Sequence, residues 1–275
     1  MNKKRDKRYL NKEEIIEIID RIKNGDFYSD IAKDYNVTSE AISYQARKLG
    51  LNKVNKFKRK NKLNENYFNN IDNEHKAYWL GFIMADGGVC YTTKYYKETN
   101  SPNRLYFTLS LKDKSILERF CDDIDYDKSK IIDFIPKGTY SNNPMCKLYI
   151  NSKKLCLNLK EFDIVPEKTG KEKFLNLSNE LMPHFIRGFF DGDGSVWKHN
   201  NRIHVSFTGN KDFLEDLMNY LYKEKIIDNK YVISEYENKN VCDFKFAKTK
   251  SIKNFFDYIY KDSTIHLERK YNKFL

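Results

Sequence analysis

Two stretches of this chain, YWLGFIMADGG at residues 78–88 and FIRGFFDGDGS at residues 185–195, share one design. Each is an apolar helical run that stops on an acid followed by glycine, Asp86-Gly87 in the first and Asp193-Gly194 in the second. Small residues recur four apart in both runs, Gly81 with Ala85 and Gly188 with Gly192. Positions at that spacing share a helical face, and without side chains on that face two helix backbones can pack almost in contact. Pairing along these faces would bring Asp86 and Asp193 side by side. An anion at a helix C-terminus meets the unfavourable pole of the macrodipole, and two such anions repel each other. The pair therefore calls for a counter-cation. A hard divalent ion, Mg2+ or another such as Mn2+, suits carboxylate and carbonyl oxygens; Asp86 and Asp193 are the expected ligands, with the carbonyl at Ala85 left unassigned. A single copy would read as a glycine-capped core helix with a surface acid, but two copies in matching context reverse that reading.

The context does match. RLYFTLSLKDKSILERF (104–120) follows the first run and NRIHVSFTGNKDFLEDL (201–217) the second. Both alternate through a strand, with Leu105, Phe107 and Leu109 against Ile203, Val205 and Phe207, then switch to a helix. KLYINSKKLCLNL (147–159) and DFKFAKTKSIKNFF (243–256) form a second corresponding pair. The spacing predicts an α+β unit of two pseudo-symmetric halves, residues 71–176 and 177–275, each ordered helix, two strands, helix, two strands, helix. YTTKYYKETNSPNR and KHNN read as loops between early strands. On the strand faces turned away from the helices, Arg104, Tyr106, Thr108 and Ser110 and, in the second half, Arg202, His204, Ser206 and Thr208 can reach base edges and phosphates.

The first fifty residues form a separate piece. KEEIIEIIDRIKNGD carries a helical apolar stripe closed by Asn24-Gly25. After it come a short helix from about Ser29 to Tyr35, a turn at Asn36-Val37, and a helix starting behind Thr38 or Ser39. The pattern resembles the helix-turn-helix domains of resolvases and small bacterial regulators. Ile31, Ala32, Val37, Ile42 and Leu49 would form its core, and Ser39, Glu40, Ser43, Tyr44 and Arg47 would face the major groove. Residues 51–70 follow as a basic linker without apolar periodicity, where Lys58 and Arg59 could track phosphates. Charge agrees with this division: residues 1–62 hold 17 Lys/Arg against 9 Asp/Glu, leaving 33 against 30 for the rest. A concentration of positive charge in the first quarter points to a polyanionic partner.

Both repeated runs resemble the signature of the LAGLIDADG homing endonucleases. With Gly81 and Gly188 on the motif's first glycine, Asp86 and Asp193 fall on its final, metal-binding acid and Gly87 and Gly194 close each copy. The motif's earlier acid is Asp191 in the second copy but Met84 in the first. The resemblance covers residues 72–275 and implies two αββαββα halves whose sheets form a saddle over DNA. It further implies a monomer that cuts both strands of a long asymmetric duplex site with divalent metal, leaving short 3′ overhangs. A basic residue near each metal is implied at the end of the second strand, which falls on Lys112 in the first half. The second half has Gly209 or Asn210 there and Lys211 just beyond, so unequal cleavage of the two strands is expected. Two other functions remain compatible with the residues: a maturase-like protein binding intron RNA, and an inactive DNA-binding regulator, against which the retention of both acids argues.

Other classes find no support. Five scattered cysteines without a CxxC pair disfavour a disulfide framework and a structural zinc site. The five histidines lack ligand spacing, and His184 reads as structural. No run approaches the ~18 apolar residues of a membrane span, and no export signal is seen, so a cytoplasmic or organellar setting is expected.

Overall fold

The computed structural model describes residues 10–24, 26–51, 62–136, 143–168, 170–236 and 241–275. The chain divides into a unit ending at Lys62 and a unit running from Leu63 to Leu275. Lys58 and Arg59 of the basic stretch lie outside the described residues.

The first unit holds three helices, α1 (Lys12–Lys23), α2 (Tyr28–Asp34) and α3 (Ser39–Lys48). At the start of α1 the Asn11 side chain accepts from the Glu14 N–H at 2.8 Å and Glu14 Oε2 accepts from the Asn11 N–H at 3.0 Å. This reciprocal cap satisfies two donors the helix itself leaves open. Asn36, at φ 49, makes the turn from α2 to α3, a left-handed conformation that asparagine enters more readily than most residues. Thr38 caps α3 by accepting from the Ala41 N–H at 3.2 Å. Ile18, Ile22, Ile31, Ala32, Ile42 and Ala46 form the core, with Val37 against its rim. Leu49, expected inside, is 44% exposed. It is the C-terminal cap of α3 and has left the packed stripe, which Ala46, one turn beyond Ile42, completes instead.

The second unit begins eight residues before the expected boundary. Tyr67 and Phe68 are buried in its core, and the Asn64 N–H donates to the Ile124 carbonyl at 2.7 Å. The basic stretch expected to reach residue 70 therefore gives way to packed chain at Leu63, where aromatic side chains have apolar surface to bury. The first half then runs α4 (Glu74–Ala85), β1 (Gly87–Cys90), α5 (Lys94–Glu98), β2 (Arg104–Ser110), α6 (Lys114–Asp123), β3 (Ile132–Phe134), β4 (Met145–Asn151) and α7 (Lys153–Lys160). The second runs α8 (Met182–Asp193), β5 (Gly194–His199), β6 (Arg202–Gly209), α9 (Lys211–Lys223), β7 (Ile233–Glu235), β8 (Cys242–Phe246) and α10 (Thr249–Tyr260), followed by α11 (Glu268–Tyr271). The strands form two antiparallel sheets in the same order, β1-β2-β4-β3 and β5-β6-β8-β7. Phe107 pairs with Leu148 in one sheet and Phe207 with Phe244 in the other, all four buried. Equivalent positions can thus be compared directly.

The halves differ most between their first two strands. Asn200 and Asn201, both at positive φ, close β5 onto β6 in a tight turn, the backbone that matches strand twist in two-residue hairpins. In the first half the stretch expected as a plain loop contains α5, braced by bonds from Tyr91 to Asn100 and between Thr92 and Asn103.

The halves meet where α4 packs on α8. A Cβ built on Gly81 would lie 2.1 Å from the Phe185 carbonyl oxygen, one on Gly188 1.9 Å from the Tyr78 carbonyl oxygen, and one on Gly192 2.3 Å from the Ala85 Cβ. The two backbones touch, and only glycine fits at these places. Around this contact one hydrophobic core runs continuously through both halves. Polar groups inside it are matched: Asp191 accepts from the Tyr78 hydroxyl at 2.9 Å and the Leu267 N–H at 2.7 Å. Arg187, fully buried, donates to the carbonyls of Ile259 and Ile265 and to Glu74. Its Nη1 lies 2.9 Å from Nδ1 of His184, which thus belongs to this structural network.

Gly188→Ala or Gly81→Ala should lower stability by about 3 kcal/mol or more, because the obstructing atoms are backbone. Gly209→Ala, whose Cβ would find its nearest neighbours at an ordinary 3.6 Å, should cost less than about 1 kcal/mol. Chemical denaturation of the three variants measures the difference, and equal losses would contradict the backbone contact.

Candidate active site

Asp86 is the C-terminal cap of α4 and Asp193 the last residue of α8. In each half a glycine then carries the chain straight into the first strand. Gly87 passes so close to the preceding turn that a Cβ would lie 2.8 Å from the Ile83 Cα; for Gly194 the Phe190 carbonyl oxygen would be 2.5 Å away. The motif's closing glycine is a steric requirement of turning sharply from helix to strand. The helix contact continues to this end, since a Cβ on Gly192 would reach within 3.3 Å of the Asp86 nitrogen. The two acids are thus brought together, as the spacing of small residues predicts.

Both carboxyls are half-buried, and both are pushed above the ordinary carboxylate range. For Asp193 burial is the main cause and the negative charge of Asp86 the second, raising it to about 6 against the pull of Lys168 and Lys270. For Asp86 burial again dominates, opposed by Lys270, Lys168 and Arg269. Burial and neighbouring charges, not hydrogen bonds, are the main causes of both shifts. Two half-buried carboxylates that feel each other's charge, with no hydrogen-bond donor among the described residues, are a chemically apt pair of ligands for a hard divalent cation, whose remaining positions water and phosphate oxygens would fill. Among the described residues no group of three or more His, Cys, Asp or Glu is placed to hold a metal, so the two aspartates would be the protein's carboxylate contribution.

The cations that weigh most on this pair are Lys168 and Lys270, with Arg269 acting on Asp86; Lys112 and Lys211 are not among the main contributors. Lys168 Nζ donates to the carbonyls of Met84 at 2.5 Å and Ala85 at 2.9 Å. Lys270 Nζ donates to those of Phe190 at 2.7 Å, Gly192 at 2.9 Å and Gly194 at 2.6 Å. Each lysine thus caps the negative end of one motif helix, where the last carbonyls lack intrahelical partners. Burial lowers both ammonium groups, Lys270 to about 8, which leaves it cationic at neutral pH. The Ala85 carbonyl, unassigned as a metal ligand, has one lone pair committed to Lys168.

Lys112 lies exposed in a short turn after β2, and Lys211 is exposed and paired with Glu235 at 2.7 Å. These lysines come not from the second-strand ends but from the segments trailing each half, eight residues beyond α7 and ten beyond α10. A lysine in both VPEKTG and LERKYN was the available sign. The closing LERKYNKF stretch contributes Lys270 to α8, and its Arg269 makes a bidentate pair with Asp113 at the start of α6. At the equivalent start of α9, Asn210 donates to Glu172 at 2.8 Å, so a neutral ion pair on this flank of the first half is replaced by a net negative pair in the second.

The strand residues mostly point as expected. Tyr106 and Thr108 are exposed, Ser110 is half-buried, and Arg104 lies over the Tyr149 ring at 5.2 Å. Arg202 is exposed, His204 stacks on Trp197 at 5.3 Å, and Thr208 donates to Asp243. Ser206 is a correction: at 6% exposure its hydroxyl is covered in the free protein, although its register is that of an outward position. On α3, Glu40, Tyr44 and Arg47 are exposed and Ser39 and Ser43 half-buried.

Residues 180–260 match the family model described as the LAGLIDADG-like domain. The match lies within the second half, and the two-half unit shares its fold with the homing endonuclease I-WcaI. Among solved structures, the homing endonuclease I-WcaI bound to its DNA recognition sequence aligns with 75% of this chain and 91% of its own, at 15% identity and a TM-score of 0.51. The LAGLIDADG meganuclease I-CpaMI bound to uncleaved DNA covers 74% and 90% at 17% identity, with a TM-score of 0.45. Comparison with curated proteins gives no match.

The raised carboxyl of Asp193 predicts how metal-free stability depends on pH. The unfolded chain releases this proton near 3.9, the folded chain near 6, so between these values the folded state binds more protons and stability falls as pH rises. Asp193→Asn should remove this contribution, on the order of 2 kcal/mol. Denaturation curves of wild type and Asp193→Asn at pH 4 and pH 6.5 give the difference; parallel curves would contradict it.

Proposed function

We propose that the protein is a site-specific endonuclease that hydrolyses both strands of duplex DNA with a divalent cation, Mg2+ or Mn2+, bound by Asp86 and Asp193. The observation that carries this reading is the pair of motif-end carboxylates, the charge of Asp86 pushing the Asp193 carboxyl up and neither bonded to a donor among the described residues, between two helix-capping lysines. A purely binding surface for a polyanion has no use for two adjacent acids. When bound, the metal would supply Lewis-acid activation of water and stabilisation of charge on the scissile phosphate.

The protein groups divide the remaining work. Asp86 and Asp193 would hold the cation. Among the described residues Lys168 donates to two carbonyls and Lys270 to three, so the third Lys168 donor would serve a water or a phosphate oxygen. The two lysines are therefore unequal, which supports unequal rates on the two strands. Both halves lie in one chain, so a monomer contains the complete carboxylate pair. The outward strand residues of both sheets and the exposed face of α3 would contact DNA, the latter as an accessory targeting module beside the basic stretch.

Duplex DNA libraries incubated with Mg2+ should yield one enriched cleavage site. Asp86→Asn and Asp193→Asn should each reduce cleavage by about 100-fold or more with binding retained; full activity in either variant would overturn the assignment. Cleavage of structured intron RNA in place of DNA, or its tighter binding, would favour a splicing role instead. Lys168→Met should lower cleavage and, removing a donor from two carbonyls, cost about 1–2 kcal/mol in a denaturation measurement. Lys270→Met removes a buried donor shared by three carbonyls, of which Phe190's keeps the Gly194 N–H, and should cost about 3 kcal/mol in the same measurement.

A further inference from the structure

The two sheets carry opposite charges at one equivalent position. In the first, Thr108 pairs across the strands with Lys147; in the second, Thr208 pairs with Asp243. Both threonines adjoin a buried phenylalanine, Phe107 or Phe207, so both sit on the face turned away from the helices. An acid on a face that meets phosphates is electrostatically costly and needs a reason.

Asp243 is held by three neighbours. The Thr208 hydroxyl donates to its Oδ1 at 2.8 Å, the Tyr236 hydroxyl donates to its Oδ2, and Lys245 Nζ lies 3.1 Å from Oδ2. Burial alone would push this carboxyl up, but these partners outweigh it and hold it below the ordinary range, so it is ionised and only accepts. The consequence falls on Thr208. A hydroxyl has one proton, and that of Thr208 is committed to a charged acceptor that is itself only 14% exposed. What Thr208 offers outward is lone pairs. Turning the proton toward a ligand would break a charge-assisted bond and leave the Asp243 oxygen short of a donor. Thr108, beside a lysine, is under no such constraint.

We infer that Asp243 fixes Thr208 as an obligate acceptor that selects a base carrying an exocyclic amino group, adenine or cytosine, in the half-site under the second sheet. Guanine and thymine place carbonyl oxygens at the corresponding major-groove positions and would set acceptor against acceptor. Asp243 acts through Thr208 and is a positioning residue for sequence readout. This inference rests on the DNA-cleaving reading above and deepens it.

Selection of duplex DNA from a randomised library, with Ca2+ replacing Mg2+ so that bound DNA survives, gives the base preference at every position. The full-length wild-type chain should show one position where adenine or cytosine is preferred over guanine and thymine by about 10-fold or more. Asp243→Asn and Thr208→Val should each reduce that preference to within about 3-fold, leaving the preferences at other positions unchanged. Thr208→Ser, which keeps a hydroxyl beside the acid, should retain it. At an adenine-preferring position, replacement by purine deoxyriboside, which lacks the 6-amino group, should weaken wild-type binding but not Thr208→Val binding. An enriched site whose preferences are all indifferent to Asp243→Asn overturns the inference while leaving the nuclease reading intact. A selection that enriches no sequence overturns the nuclease reading and the inference with it.

Discussion

Backbone contact between α4 and α8 is the constraint from which the rest of the molecule follows. Where a Cβ would fall within about 2 Å of a facing carbonyl oxygen, no side chain fits, and the helices are fixed in register by what their sequences omit. The contact joins the two sheets' cores into one and sets both helix C-termini together. The close approach of Asp86 and Asp193, with its electrostatic cost, is inherited from this packing.

That cost is met by burying cations as well as anions. Lys168 and Lys270 sit at the negative ends of the two motif helices and take the carbonyls the helices leave open. Asp191 shows how differently two acids of one motif can be used. It is wholly buried and bonded to Tyr78 and Leu267, tying the C-terminal segment to the helix pair, and its counterpart Met84 is simply part of the core. An acid with donors around it is structural; one without them, two residues along, is available for a cation.

Pseudo-symmetry in the backbone coexists with inverted chemistry at equivalent places. The tight Asn200-Asn201 turn stands opposite an α5-bearing segment, Asp113 with Arg269 opposite Asn210 with Glu172, and Lys147 opposite Asp243. Sheet order and register depend on the apolar alternates, which both halves keep. The polar alternates are free of that duty and have diverged, which suits a molecule whose halves face unlike stretches of one asymmetric ligand.

Much of this was legible in the amino-acid sequence because it depends on local periodicity. The two motif helices, the strand-to-helix switches after them, the three helices of the first unit and the meeting of Asp86 with Asp193 all follow from spacings of apolar and small residues. Leu49 and the start of the second unit at Leu63 were misplaced by short-range pattern alone, since burial there depends on which neighbours are present. The lysines were hidden for a stronger reason. Lys168 is 82 residues from Asp86 in sequence and Lys270 is 77 from Asp193, and neither lies in a periodic element that announces its target. By itself the sequence determined which segments become helices and strands and that two acids must meet, because side-chain period and glycine spacing are properties of neighbouring residues. Only the tertiary structure decided which cations attend those acids and which hydroxyls keep their protons, because hydrogen bonding and charge act through space between segments the chain brings together last.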